Sequence, residues 1–155
     1  MQETVIAIIK EVLGAMGVSF TEITSETIAD QLVFQIVSDE TSRLVGMHGD
    51  TIHALDYIVK KIVEQRGVER TLFIVDAGEY QVSRIKELQV KAKIMAERAR
   101  SFAYDVELAP MSAYERLIVH ATLSDEPNVK TESQGEGRDR RIVIRYIAND
   151  SVESL

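Results

Sequence analysis

Residues 112–120, S-A-Y-E-R-L-I-V-H, constrain the fold more than any other stretch of this chain. Ser112 and Glu115 have capping-box spacing, in which each side chain bonds the other residue's backbone N–H. A helix is therefore expected to begin at Ala113 and run to about Leu123. Within it, Arg116 and His120 stand four residues apart, and such side chains share one face at about 5–6 Å between Cβ atoms. A cation beside an imidazole, followed by Arg138, Arg140, Arg141 and Arg145, fits a phosphate-binding surface. It fits neither a metal site nor a nucleophile.

Length and composition narrow the classes. The 155 residues suffice for one ordinary domain or two small ones, and 45% apolar with 28% charged residues describes a chain that folds. No apolar run approaches the ~20 residues of a membrane span. The first residues lack the basic start of a signal peptide. With no cysteine, disulfides, thiol catalysis and cysteine-ligated zinc are excluded. A cytoplasmic protein is expected. The net charge of −7 is uneven: residues 1–78 hold 6 basic and 12 acidic side chains, residues 79–155 hold 12 and 13. Any polyanion should favour the second half.

Periodicity orders the elements. Val5, Ile8, Ile9, Val12 and Leu13 make a helical stripe closed by Gly14 or Gly17. Residues 18–28 and 31–38 read as strands about a turn at Ala29-Asp30. The second, with L-V-F-Q-I-V, is apolar enough to be central. A short helix at 41–45, a loop at Gly46–Gly49, a helix capped by Asp50 with Ile52, Leu55, Val59 and Ile62 inward, and a strand at 71–76 complete an α-β-β-α-α-β order. A long helix from Tyr80 to about Ala103 follows. Its expected seam is Ile85, Leu88, Ala92, Met95, Ala99 and Phe102. A short strand at 106–108 precedes the capped helix, whose core side is expected to hold Tyr114, Leu117, Ile118 and Ala121. Strands at 129–133 and 141–147 pair about Gly135-Glu-Gly137. The tail from Ala148 is expected to fray.

Two segments carry binding chemistry. In Gly46-Met47-His48-Gly49, glycines permit close backbone approach, and the N–H groups opening the next helix can receive an anion. The same loop also reads as a tight helix–helix turn. Its place between the two helices of the α-β-β-α-α-β unit, with flanks R-L-V and D-T-I-H-A-L-D-Y-I-V, resembles a type II KH domain. In that domain a G-x-x-G loop clamps about four nucleotides of backbone.

Residues 107–147, with E-L-A-P-M-S-A-Y-E-R-L-I-V-H and T-E-S-Q-G-E-G-R-D-R-R-I-V-I, resemble the R-three-H domain, named for its Arg-x-x-x-His pair. KH followed by R-three-H is similar to the Jag, or SpoIIIJ-associated, family over roughly residues 1–147. The resemblance implies an α+β fold of two small domains. A type II KH-like unit (1–78) would precede an R-three-H-like α/β sandwich with a three-stranded sheet (79–148), leaving a tail at 149–155. It implies a regulator, not an enzyme, that binds single-stranded RNA or DNA without cofactor or metal. The implied contacts are Arg116, His120, Arg138, Arg140 and Arg141, with Gly46, Met47, His48 and Gly49 positioning the strand. A small single-KH protein or a second copy is the implied protein partner. Roles tied to the further N-terminal domain of many members are not carried over.

The remaining arginines have two readings. On a strand, Arg141 and Arg145 share a face, with Arg138 and Arg140 near the turn; beside Arg116 and His120 they would make a compact cationic patch. Such charges also blunt edge strands. His48, His53 and His120 lack zinc-ligand spacing, and Glu115 is explained by capping. The competing functional reading is a protein-interaction adaptor or dimerisation module with weak nucleic-acid binding. It is motivated by the acidic first half and by Met47-His48 in place of basic loop residues.

Overall fold

A computed structural model describes residues 1–69 and 72–149. The chain divides into two compact units, residues 1–83 and the residues from Arg84 onward. Both are α+β. Thr71 and the tail from residue 150 lie outside the described residues, so the expectations placed on them are not addressed.

The first unit runs α1 (Gln2–Met16), β1 (Glu22–Ile28), β2 (Gln31–Val37), α2 (Thr41–Val45), α3 (Asp50–Gln65) and β3 (Phe73–Ala77). The sheet order is β1-β2-β3, with β1 antiparallel and β3 parallel to β2. The apolar β2 is thus central, as its sequence requires. Ala29 and Asp30 both have positive φ, as a two-residue hairpin turn demands. β1 starts four residues later than expected. Val18 instead enters the core, and the Ser19 N–H donates to Glu40 Oε2 at 2.9 Å.

Val5, Ile8, Ile9 and Leu13 of α1 and Ile52, Leu55, Val59 and Val63 of α3 pack on Phe34, Ile36, Phe73 and Val75 of the sheet. Val63 takes the deeper place expected of Ile62, which is half-buried. On β3, the Val75 N–H has no strand partner. It donates to Asp56 Oδ1 of α3 at 2.8 Å, which satisfies a backbone group on an edge.

Next come α4 (Tyr80–Phe102), β4 (Val106–Glu107), α5 (Ala113–Leu123), β5 (Val129–Gln134) and β6 (Arg141–Tyr146). The second sheet is antiparallel, ordered β4-β6-β5. One face, carrying Val106, Val129, Ile142 and Ile144, packs on Ala92, Ala96 and Ala99 of α4 and on Val119 and Leu123 of α5. The alanines let the α4 backbone approach closely.

The α4 seam departs from expectation. After Ala92 the buried line steps to Ala96 and then Ala99, because a straight helix drifts about 20° per heptad from a strict seven-residue repeat. Leu88 and Met95 fall to half-buried positions and Phe102 to an exposed one. On α5, Ile118, Val119 and Leu123 are buried and Leu117 is exposed, so the core face is turned from the one expected.

Candidate nucleic-acid interface

The capping box forms as its residues require. Glu115 N–H donates to Ser112 Oγ at 3.2 Å, and Ser112 N–H donates to Glu115 Oε2 at 2.8 Å. This fixes where α5 begins and, one turn on, where Arg116 projects. Arg116 Nη1 donates to the Met111 carbonyl at 2.8 Å. The Met111 N–H in turn donates to the Arg140 carbonyl at 3.2 Å. One peptide residue therefore links the start of α5 to the end of the hairpin turn. Arg140 Nη1 closes that turn on the Gly135 carbonyl at 2.8 Å. Arg138 stands exposed in the turn without a hydrogen-bond or ion-pair partner among the described residues. Arg116, Arg138 and Arg140 make no ion pair there, although Glu136 and Asp139 share the turn.

His120 faces the sheet. Its Nδ1 lies 2.6 Å from Thr131 Oγ1 and its Nε2 lies 3.2 Å from Ser133 Oγ, both on β5. Burial, reinforced by the Arg116 charge, lowers its pKa from the ordinary 6.5. Near pH 7 the ring is neutral. Both its nitrogens already have hydroxyl partners.

The strand register separates the other arginines from this pair. Thr131 and Ser133 lie opposite Ile144 and Ile142, on the helix-covered face, so Arg141 and Arg145 point to the opposite face. There Arg145 pairs with Asp105 at 2.8 Å and with Glu132 at 2.9 Å. Arg141 pairs with Glu107 and also donates to the Asp139 carbonyl at 3.2 Å. The expectation of one patch holding all these arginines is corrected. Only Arg138 and Arg140 lie at the end of the sheet toward Arg116, while Arg141 and Arg145 brace the strands. Sequence reading passed over the bracing carboxylates. The alternation Lys130-Thr-Glu-Ser-Gln134 does carry the signal, with hydroxyls on one face and charge on the other.

In the first unit, Gly46 and Gly49 flank exposed Met47 and His48. Gly46 has φ 72° and ψ −173°, and Gly49 has φ 78°. A methyl group on Gly46 would collide with the Thr51 hydroxyl and sit 2.7 Å from Thr51 Cβ. One on Gly49 would strike the Tyr80 ring, 2.8 Å from Cζ. Local packing alone thus demands both glycines. Gly49, not Asp50, is the N-cap of α3, and no side chain caps it. Asp50 opens the first turn instead, where its charge suits the helix dipole.

Residues 86–146 match the R-three-H domain family. A protein of Clostridium symbiosum described as RNA-binding protein KhpB is 27% identical over 145 residues, covering 93% of this chain and 65% of that protein. Its Bacillus subtilis namesake is 28% identical over 128 residues, covering 81% and 62%. One from Lactiplantibacillus plantarum is 30% identical over 101 residues, covering 65% and 31%. The chain is thus similar to these proteins along most of its length and carries an R-three-H match in its second half. It spans less than two thirds of the length of these curated relatives. Arg116 and His120, which have the Arg-x-x-x-His spacing for which the R-three-H domain is named, both lie within the matched region.

No group of three or more His, Cys, Asp or Glu among the described residues could hold a metal ion. No helix among them is long and apolar enough to cross a membrane.

Proposed function

We propose that this chain is a regulatory protein that binds single-stranded RNA at the end of the R-three-H domain where α5 begins and the β5–β6 turn closes. The observation that carries this reading is that the Arg116 guanidinium and the Arg140 backbone carbonyl both bond Met111, which ties these two residues to one end of the domain, with unpaired Arg138 in the same turn as Arg140. Guanidinium groups free of carboxylates keep their planar donor forks for phosphate. The match to the R-three-H family and the description of the KhpB relatives as RNA-binding proteins support it. His120 would act by holding α5 on β5 and so aiming Arg116, one turn away. Arg141 lies on the far face and would contribute through the shape of the sheet.

The functional modules we assign are residues 1–78 and 79–148. In the first, the Gly46–Gly49 loop would steer the strand, with Met47 and His48 outward. That unit is also where a small single-KH protein or a second copy would bind. We place the protein in the cytoplasm, with its RNA.

A labelled single-stranded oligonucleotide, RNA in one arm and DNA of the same sequence in the other, titrated at several salt concentrations, tests the reading. Each phosphate that a variant no longer neutralises should lower the salt slope by about 0.7. Arg116→Ala with Arg140→Ala should lower both affinity and slope. Unchanged values would overturn the assignment. Tighter binding of DNA than of RNA would change the ligand.

A further inference from the structure

Phe102 is apolar, sits where the heptad pattern expects a core residue, and is 68% exposed. Tyr104, 46% exposed, lies beside it, with ring centroids 6.0 Å apart and planes inclined by 37°. The pair is held in place by the backbone. Ala103 takes a positive φ, and the Tyr104 N–H returns to the Ala99 carbonyl at 3.3 Å, ending α4 on a tight turn.

What lies next to this pair is positive. Lys91, Met95, Arg98 and Phe102 step four, three and four residues along α4, so they form one row on the helix surface. Lys91 and Arg98 are exposed, and their side chains have no hydrogen bond or ion pair among the described residues. Lys91 and Arg98 are two turns apart, about 10.5 Å, and Phe102 lies one turn beyond Arg98. The helix carries six basic residues against two acidic ones in a chain whose net charge is −7. Arg100, by contrast, is neutralised by Glu97 and Glu126. A wet aromatic surface adjoining unpaired cations suits a ligand with both flat π-faces and negative charge.

We propose that Phe102 and Tyr104 are a base-stacking platform, and that Arg98 and Lys91 lead the backbone of the same single-stranded RNA along α4. This second contact lies at the opposite end of the R-three-H sheet from Arg116. β4 leaves the α4 turn alongside Ile144, whereas Met111 meets Arg140 beyond the other end of β6. The inference rests on RNA being the ligand. It adds stacking, which carries little base preference, to the charge contacts of the first site.

The test uses the full chain and a fluorescent single-stranded RNA of about a dozen uridines, with melting curves confirming that each variant folds. Phe102→Ala with Tyr104→Ala should weaken binding roughly 10- to 100-fold while leaving the salt slope nearly unchanged, because stacking releases few counterions. Phe102→Leu should not restore affinity, since it returns apolar area but no π-face. Arg98→Gln with Lys91→Gln should lower the slope by about 1.4. Full affinity in the double aromatic variant, while Arg116→Ala still weakens binding, overturns the platform and leaves the first site standing. Loss of a dimer in sedimentation with RNA affinity intact assigns the rings to a protein interface and likewise overturns it. If the unaltered chain does not bind the RNA, both proposals fail.

Discussion

The His120 Nδ1 is 2.6 Å from the Thr131 hydroxyl, which makes the imidazole a bridge between α5 and β5 rather than a free surface group. A neutral ring with one donor and one acceptor nitrogen can satisfy both Thr131 and Ser133, because hydroxyls serve in either role.

That bridge sets a pH dependence. Burial, with the Arg116 charge adding to it, lowers the His120 pKa, so the unfolded chain takes up this proton at higher pH than the folded one. The contribution of His120 is complete above about pH 6.5 and is lost as pH falls from there toward the folded value. The carboxylates of Glu132 and Asp105, also held below their ordinary values by hydrogen bonds and Arg145, act at more acid pH. Nuclear magnetic resonance titration should place the His120 ring below 6.5. Between about pH 8 and pH 5, wild type should lose more thermal stability than His120→Gln, which cannot take up this proton. Equal losses in the two proteins would remove the linkage.

Arg145 and Arg116 should separate cleanly in experiment. Arg145 joins β6 to Glu132 on β5 and to Asp105 just before β4. Because these pairs are exposed, water and salt screen them and each contributes little. Arg145→Ala should lower the melting temperature by a few degrees and change the RNA salt slope by less than about 0.7, one phosphate's worth. Arg116→Ala should do the reverse. A drop in slope with Arg145→Ala equal to that with Arg116→Ala would return Arg145 to the binding surface.

Much of the fold was legible because local chemistry and tertiary demand agree. The L-V-F-Q-I-V run had only a central strand to occupy. The capping box named the first residue of α5, and the Arg116–His120 pair came with it. What escaped was set by rotation and register. The α4 stripe had two continuations after Ala92, through Met95 or through Ala96, and the drift of a straight helix together with its close approach to the sheet selects the alanines. The arginines at 138–145 looked like one patch because sequence gives spacing along a strand, whereas the pairing with β5 decides the face. The carboxylates that neutralise Arg141 and Arg145 come from two separate segments, Asp105 and Glu107 at β4 and Glu132 on β5. Asp76, read simply as the end of a strand, has a role visible only once α4 is in place.

The two loop glycines should be intolerant for steric reasons, whatever the loop binds. Gly46→Ala places a methyl group against Thr51 at a backbone geometry almost confined to glycine, so a loss of about 2–4 kcal/mol is expected in urea unfolding. Gly49→Ala meets the Tyr80 ring, and adding Tyr80→Ala should recover part of the loss. A double-mutant cycle should then show about 1 kcal/mol or more of coupling. Additive losses would mean that Gly49 is constrained by its positive φ alone.

Asp76 is fully buried and accepts four hydrogen bonds. They come from the Gln35 side-chain amide at 2.7 Å and from the backbone N–H groups of Ala77 at 2.8 Å, Gln81 at 2.9 Å and Val82 at 3.1 Å. Gln81 and Val82 lie in the first turn of α4, whose N–H groups lack helical partners, so Asp76 caps that helix from the end of β3. Gln35 completes the arrangement, its Oε1 accepting from the Glu79 N–H at 3.3 Å. Asp76→Ala leaves several buried donors unmet and should destabilise the chain by about 3 kcal/mol or more. Asp76→Asn retains an acceptor oxygen but turns its amide donors toward other donors, so its loss should be large but smaller. In urea, both midpoints should fall in that order. A shift of less than about 1 kcal/mol for Asp76→Ala would show that water replaces the carboxylate, and that α4 begins without it.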